Sequence, residues 1–298
     1  MSLAVRRIGL IGCGEVGTIL GEDLVRAGCD VRAFDILFDA PAERARLQRK
    51  AERVRIELAG STRAAILDAD LIISAVTAAS SADAAAAAAP ALRPGQIFLD
   101  INSVSPATKR SNAQQIERSG ADYVEAAVMA AIAPQRLAVP MLLGGRRASE
   151  LAEALRALGM QASAISQEIG VASAVKMCRS ILIKGLEALT LECLLGARRF
   201  GAEQYVLASL DASFPRMGWC EALPDYLVSR VAEHGKRRAE EMREVAHTLA
   251  SVGIEPLMAA ATAQRQQELI ERMAARGIDY ASGTYAKWQQ LVDELQED

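Results

Sequence analysis

Short apolar runs alternate with amphipathic stretches through the first half of the chain. Arg6–Gly12, Cys29–Asp35, Leu71–Val76, Ile97–Ile101, Tyr123–Val128 and Pro140–Leu143 read as strands, with a weaker one at Val54–Leu58. Between them, helical patterns run through Val16–Ala27, Ala42–Arg53, Arg63–Asp68, Ala82–Ala89, Ala107–Arg118 and Ser149–Leu158. Strands this short and apolar, each followed by a helix, predict an α/β domain with a parallel sheet covered on both faces. The alanine run Ala84–Ala89 begins after Ser80 and Ser81 and stops at Pro90, the pattern of a capped helix with a small-residue face and no function of its own. From Ser166 onward no convincing strand remains. Helical segments continue to the end, broken around Gly201, Phe214–Trp219, Pro224, Gly253–Pro256 and Gly277–Gly283, and Ile169–Arg199 reads as one long helix interrupted only by Gly185 and Gly196. The expected organisation is residues 1–165 as the α/β domain and 166–298 as an all-helical domain for substrate binding or dimerisation, with the interdomain helix at about 169–199. A long helix joining two domains buries poorly on one of them alone, which points to a homodimer.

The first strand exits into Gly12-Cys13-Gly14-Glu15-Val16-Gly17, a G-x-G-x-x-G turn that opens a helix. Gly12 permits the tight turn, Gly14 lets the backbone approach a pyrophosphate, and Gly17 lets the helix lie close on the strand. The helix N-terminus, with Glu15 and Val16 in its first turn, offers N–H groups to the phosphates. The next strand ends on Asp35, where a carboxylate accepts hydrogen bonds from the adenosine ribose hydroxyls. The constellation predicts a Rossmann-type doubly wound sheet and a dinucleotide cofactor. Asp35 repels a 2′-phosphate, and Ile36, Leu37 and Phe38 offer no cation to grip one, so NAD is favoured over NADP. Val76 and Ser103 complete the expected cofactor-binding set.

Composition narrows the partners. A net charge of −3 gives no electrostatic case for nucleic acid, and no apolar run is long enough to span a bilayer. The 5 cysteines are odd in number, scattered and without a C-x-x-C pair, so neither a disulfide framework nor a zinc ribbon is expected. With the first strand starting so near Met1, no signal peptide is read and a cytoplasmic location is expected. Neither His234 nor His247 has metal-ligand company in the sequence.

Three motifs in order resemble the β-hydroxyacid dehydrogenase superfamily, which includes 6-phosphogluconate, 3-hydroxyisobutyrate and tartronate semialdehyde enzymes. They are Gly9-Leu10-Ile11-Gly12-x-Gly14-x-x-Gly17, Asp100-Ile101-Asn102-Ser103-Val104-Ser105-Pro106, and Gly170 followed by Lys176. The C-terminal part, especially Arg230–Pro256, looks like a divergent branch that joins a 6-phosphogluconate-dehydrogenase-type nucleotide domain to an uncharacterised, DUF1932-like helical domain. The resemblance implies that Lys176 is the general acid/base and that Ser103 and Asn102 lie near nicotinamide and substrate.

The chemistry suits that assignment. A lysine accepts a hydroxyl proton only if its pKa falls from about 10.4 toward neutrality, through burial or a neighbouring cation. Val171, Ala172, Val175 and Met177 are apolar, and Arg179 lies close along the helix. Two departures from the family stand out. Ser180 replaces the usual asparagine one helical turn past Lys176, where its hydroxyl can still hold a substrate oxygen, and Arg179 is an alternative anion contact. The loop after the strand at Tyr123, Glu125–Ile132, lacks the family's serine and paired glycines. It either favours an apolar substrate body, with Met129 in contact, or packs on the second domain. Lys184 reads as solvated. Arg230, His234, Lys236, Arg237 and Arg238 form a basic cluster that either binds a carboxylate or phosphate, with His234 the leading member, or is a solvated face paired with Glu240, Glu241 and Glu244. Of Phe214, Trp219 and Tyr226, at least two read as core.

The leading expectation is an NAD-dependent dehydrogenase that exchanges hydride with a hydroxy acid or related alcohol, with Lys176 and Ser180 catalytic and Ser103, Met129, Arg179 and His234 on the substrate. The alternatives are an imine reductase-like enzyme, against which a lysine proton carrier argues, and a non-catalytic dinucleotide-binding protein.

Overall fold

The computed structural model describes residues 3–39, 41–280, 285 and 287–296, leaving aside the side chains of residues 39, 41–43, 46, 47 and 50. The chain divides into two compact units, Met1–Lys176 and Met177–Asp298.

The first unit is built on an eight-stranded sheet in the order β3-β2-β1-β4-β5-β6-β7-β8. The strands are β1 (Arg7–Ile11), β2 (Asp30–Phe34), β3 (Glu57–Leu58), β4 (Leu71–Ser74), β5 (Ile97–Asp100), β6 (Asp122–Val128), β7 (Met141–Gly144) and β8 (Ala162–Ser166). Its helices are α1 (Glu15–Arg26), α2 (Pro41–Val54), α3 (Thr62–Ile66), α4 (Ser81–Ala88), α5 (Pro106–Glu117), α6 (Ile132–Gln135) and α7 (Ala148–Ala157), and the unit ends in the first turns of α8 (Val171–Arg199). Alternate strand residues feed two cores: Leu10, Ile73, Leu99 and Val124 on one face, Ile72, Phe98 and Tyr123 on the other. This is the two-sided burial that continuous apolar strands predict. Strand order reverses where β4 joins the far side of β1, so the switch point lies at the carboxyl ends of β1 and β4.

Three features depart from the sequence reading. The sheet is not wholly parallel: β7 runs antiparallel to β6, and β8 follows β7. The connection between β6 and β7 carries the short α6 and a 3₁₀ turn at Arg136–Ala138 and closes on itself, Met129 N–H donating to the Pro140 carbonyl at 2.9 Å, so the chain turns back beside the strand it left. Strand β8 escaped notice because it is an edge strand: Ser163, Ala164 and Ile165 are exposed and leave no apolar run to read. The serine cap expected on α4 is also absent. Ser80 is the N-cap but makes no capping hydrogen bond, and Ser81 points inward as a buried acceptor.

In the second unit α8 continues without a break through Gly185 and Gly196, each costing about 1 kcal/mol of helix propensity that neighbouring turns and packing override. Helices α9 (Glu203–Ser213), α10 (Leu223–Ala250), α11 (Leu257–Ala275) and α12 (Trp288–Gln296) follow, separated near the expected breaks. The last expected break, Gly277–Gly283, extends into residues outside those described. Leu191, Leu194, Val228, Val231, Leu269, Trp288 and Leu291 form the main core of this unit. Of the three aromatics expected to supply two core residues, only Trp219 is buried. Phe214 and Tyr226 lie in the loop before α10 and on its first turn and remain exposed.

Candidate active site

The glycine turn has the geometry its spacing requires. Gly12 sits at φ +96°, and a Cβ there would come within 2.4 Å of the Ala75 carbonyl oxygen at the end of β4. A Cβ on Gly17 would lie 2.0 Å from the Gly12 carbonyl oxygen, so α1 reaches its seat only without one. Gly14 is different: a Cβ would meet nothing within 4 Å. The backbone there borders open space at the N-cap of α1. That is the arrangement a pyrophosphate needs, close to main-chain N–H groups with no side chain between.

Asp35 closes the turn from the β2 side. Its Oδ2 accepts from Cys13 N–H at 2.7 Å and its Oδ1 from Leu37 N–H at 2.9 Å. An ionised carboxylate has about four acceptor positions, so a pair of ribose hydroxyls can still be accommodated. The residues present therefore fit a dinucleotide. A cavity of ≈ 420 Å³ lies at the other end of the strands. There Arg7 pairs with Asp70, and Arg32 with Glu57 and Asp68.

Beneath the loop that follows β5 lies a buried polar network that sequence reasoning missed. Asp100 and Lys109, each only 1% exposed, form an ion pair at 2.9 Å, and Lys109 also donates to the Asp100 carbonyl at 2.8 Å. Tyr123 OH and Asn112 Nδ2 donate to Asp100 Oδ2 at 2.7 and 3.2 Å, and Asn102 N–H donates to Oδ1 at 2.9 Å. Burial pushes the Asp100 carboxyl up, but the Lys109 ammonium and these donors outweigh it and hold the pKa below the usual carboxylate range. Burial and the Asp100 charge together push the Tyr123 phenol well above 10. Asn102 extends the network: its Oδ1 accepts from Val76 N–H at 2.7 Å, and its Nδ2 donates to Ser74 and Ser81 at 2.9 and 3.3 Å. Val76 and the Asn102–Ser103 loop are thus tied together across the ends of β4 and β5. The Asp100–Pro106 motif marked Asp100 and Asn102, but their partners Lys109 and Asn112, at helical spacing on α5, read as an ordinary solvated face.

Lys176 and Ser103 meet. The lysine Nζ donates to Ser103 Oγ at 2.6 Å, and both side chains are half-buried. Ser105 caps α5 by accepting from Thr108 N–H at 3.2 Å, which fixes the far end of the same loop. The stretch taken as a substrate loop, Glu125–Ile132, is corrected: Glu125–Val128 is strand β6, and only Met129–Ala131 is loop, with Met129 half-buried at its start.

The other candidates lie in the second unit. Ser180 accepts from Lys184 Nζ at 3.4 Å, and Arg179 is exposed. Lys184 is not solvated but 7% exposed and paired with Glu241 at 2.6 Å, and burial lowers its pKa. The basic cluster is neither one open face nor one solvated strip. Arg238 is buried against Glu187 at 2.7 Å, whereas Arg237 is exposed and pairs with Glu241 at 2.7 Å. His234 lies 3.6 Å from Glu233, with its pKa lowered by burial and by Arg230. Glu187 has its pKa raised by burial in spite of Arg238. Among the described residues no group of histidine, cysteine and carboxylate side chains is set to hold a metal, and no helix is long and apolar enough to cross a membrane.

Comparison with known proteins accords with this geometry. Residues 7–170 match the NAD binding domain of 6-phosphogluconate dehydrogenase, and residues 197–269 match a domain of unknown function, DUF1932. A conserved hypothetical protein from Sinorhizobium meliloti 1021 is 36% identical with a TM-score of 0.81, the match covering 98% of this chain and 96% of that one. A conserved protein of unknown function, MTH1747, described as similar to 3-hydroxyacid dehydrogenases, is 31% identical with a TM-score of 0.72, over 92% of this chain and all of that one. Human mitochondrial 3-hydroxyisobutyrate dehydrogenase is 23% identical over 205 residues, 68% of this chain and 60% of the human enzyme, so the chain spans less than two thirds of that relative. The fold is also shared with an imine reductase variant from Myxococcus stipitatus solved with NAD+, at 19% identity and a TM-score of 0.59, over 98% of this chain and 99% of that one.

Proposed function

The chain belongs to the family built on the NAD-binding domain of 6-phosphogluconate dehydrogenase, and from that premise we propose that it is an NAD-dependent dehydrogenase of hydroxy acids or related alcohols. The observation that carries the proposal is the 2.6 Å hydrogen bond from Lys176 to Ser103. It fixes an amine beside the loop that follows β5, the strand next to switch-point strand β4, where the nicotinamide end of a dinucleotide is expected. Gly12, Gly14 and Gly17, with the Glu15 and Val16 N–H groups, hold the pyrophosphate, and Asp35 accepts the ribose hydroxyls and disfavours a 2′-phosphate. Val76 and Ser103 border the nicotinamide. When bound, the cofactor supplies the hydride acceptor. As the carbinol carbon gives up hydride, its hydroxyl proton passes to the neutral amine of Lys176, leaving a carbonyl and an ammonium. In the reverse direction the ammonium returns that proton. Ser103 orients the amine, and Met129 meets the apolar body of the substrate. Ser180 as a catalytic residue, and Arg179 and His234 as substrate contacts, belong to the same proposal and are tested singly on kcat and KM. The homodimer and the cytoplasmic location also remain part of it, the first open to sedimentation analysis.

The test is titration of NAD and NADP separately, then a panel of hydroxy acids monitored at the reduced-nicotinamide band. Tighter NAD binding, with turnover that falls at least about a hundredfold in Lys176→Ala while NAD affinity stays within a small factor, is the expected result. Tighter NADP binding overturns the role of Asp35. Turnover unaffected by the lysine variant overturns the proton carrier, and NAD binding with no turnover on a broad panel favours a dinucleotide-binding protein without this chemistry.

A further inference from the structure

The two partners of the Lys176–Ser103 hydrogen bond, one in the loop after β5 and one on α8, are anchored to the neighbouring strands β5 and β6. Ser103 follows β5, whose last residue, Asp100, anchors the loop. The register partner of Asp100 on β6 is Glu125. Glu125 is fully buried, and among the described residues it is ion-paired with no cation. Its partners are backbone donors at the start of α8: Oε1 accepts from Gly170 N–H at 2.7 Å and Ala172 N–H at 3.0 Å, and Oε2 from Ser173 N–H at 3.3 Å. The three donors belong to the helix start whose next turn carries Lys176. A buried carboxylate facing a helix N-terminus is held by the helix dipole as well as by its hydrogen bonds. The seat is closely fitted, since a Cβ on Gly144 would come 2.7 Å from Glu125 Oε1.

We propose that Glu125 is the positioning residue for Lys176. Bolted to β6 next to the Asp100 network, it sets the start of α8 and so determines where the lysine amine sits relative to Ser103. An ordinary cap would need only one of the three hydrogen bonds, and it would be solvated. Here both carboxylate oxygens are committed in the interior, on the strand adjacent to the one that places Ser103. The proposal takes its catalytic meaning from the role given to Lys176, but its geometry is testable without turnover.

The test is competitive labelling with acetic anhydride, read by peptide mass spectrometry at three lysines of the full-length protein. Lys176 reports position, exposed Lys236 sets the reference rate, and Lys109, 1% exposed, reports global opening. Ser103→Ala defines the signal of an amine that has lost its Ser103 hydrogen bond. Glu125→Gln keeps the length and removes the charge, whereas Glu125→Asp keeps the charge and withdraws it by one methylene. Both are expected to raise Lys176 labelling relative to Lys236 by about tenfold, as Ser103→Ala does, with Lys109 still protected. Unchanged Lys176 labelling in the two variants, even with a lower melting temperature, reduces Glu125 to a structural cap and overturns the proposal. If one variant opens globally, seen as Lys109 labelling, the other decides. Failure of the Lys176 reading is scored separately, by turnover in Lys176→Ala, and leaves the labelling result standing.

Discussion

Lys109→Met is the sharpest test of what holds the β5 loop. The substitution conserves volume but deletes the cation from an ion pair in which both members are 1% exposed. Breaking such a pair by removing one partner costs about 3–5 kcal/mol, because the remaining charge stays buried. Asp100 keeps three other donors, Tyr123 OH at 2.7 Å, Asn102 N–H at 2.9 Å and Asn112 Nδ2 at 3.2 Å, which places the loss near the lower end, about 3 kcal/mol. For a unit of this size that corresponds to a fall in Tm of about 6–12 °C. Differential scanning calorimetry measures it. Trp219 and Trp288 both lie in the second unit, so their fluorescence identifies that unit's transition and leaves the first unit's to be read by difference. The pH dependence follows from the direction of the Asp100 shift. Its folded pKa is depressed, so its contribution to stability is present above the unfolded value and disappears as pH falls through the folded one. Without Lys109 the folded pKa moves up, and the variant takes up the proton at a higher pH than the native protein. The stability gap must therefore narrow on acidification, and Asp100→Asn in the Lys109→Met background must recover much of the loss at neutral pH. A loss below about 1 kcal/mol, the value of an exposed pair, or a gap independent of pH, would refute the reasoning.

Gly17→Ala puts a Cβ 2.0 Å from the Gly12 carbonyl oxygen, so α1 must move off the turn. NAD affinity is expected to fall at least about tenfold by isothermal titration calorimetry, whereas Gly14→Ala, which meets no protein atom, loses affinity with no change in Tm. In the second unit, Arg238→Met removes the main cation opposing the burial of Glu187. The Glu187 pKa is already raised, so the stability it permits is present at low pH and lost as pH rises through the folded value. The variant should therefore melt lower at pH 8 than at pH 5, with a deficit at the higher pH of about 3 kcal/mol by calorimetry. Equal deficits at both pH values would place the loss in packing instead.

The sequence by itself determined the alternation of strands and helices, the glycine turn and its Asp35 partner, the all-helical second half and most of its breaks. Those features are local: a tight turn needs glycine within a few residues, and an apolar run shows its period to any neighbour-by-neighbour reading. It also marked Lys176 and Ser103 separately, through motif spacing. Tertiary structure alone decided that the two touch, because they lie far apart in the chain and meet only once β5 and the start of α8 are in place. It decided the direction of β7 as well, since an apolar run has the same pattern in either orientation, and the existence of β8, whose edge position leaves it no apolar signature. The buried charges were the least legible. Lys109, Lys184, Arg238 and Glu125 look in the sequence like charged residues bound for solvent, and whether such a side chain is solvated or interred depends on whether the fold brings a counter-charge or a row of backbone donors to meet it.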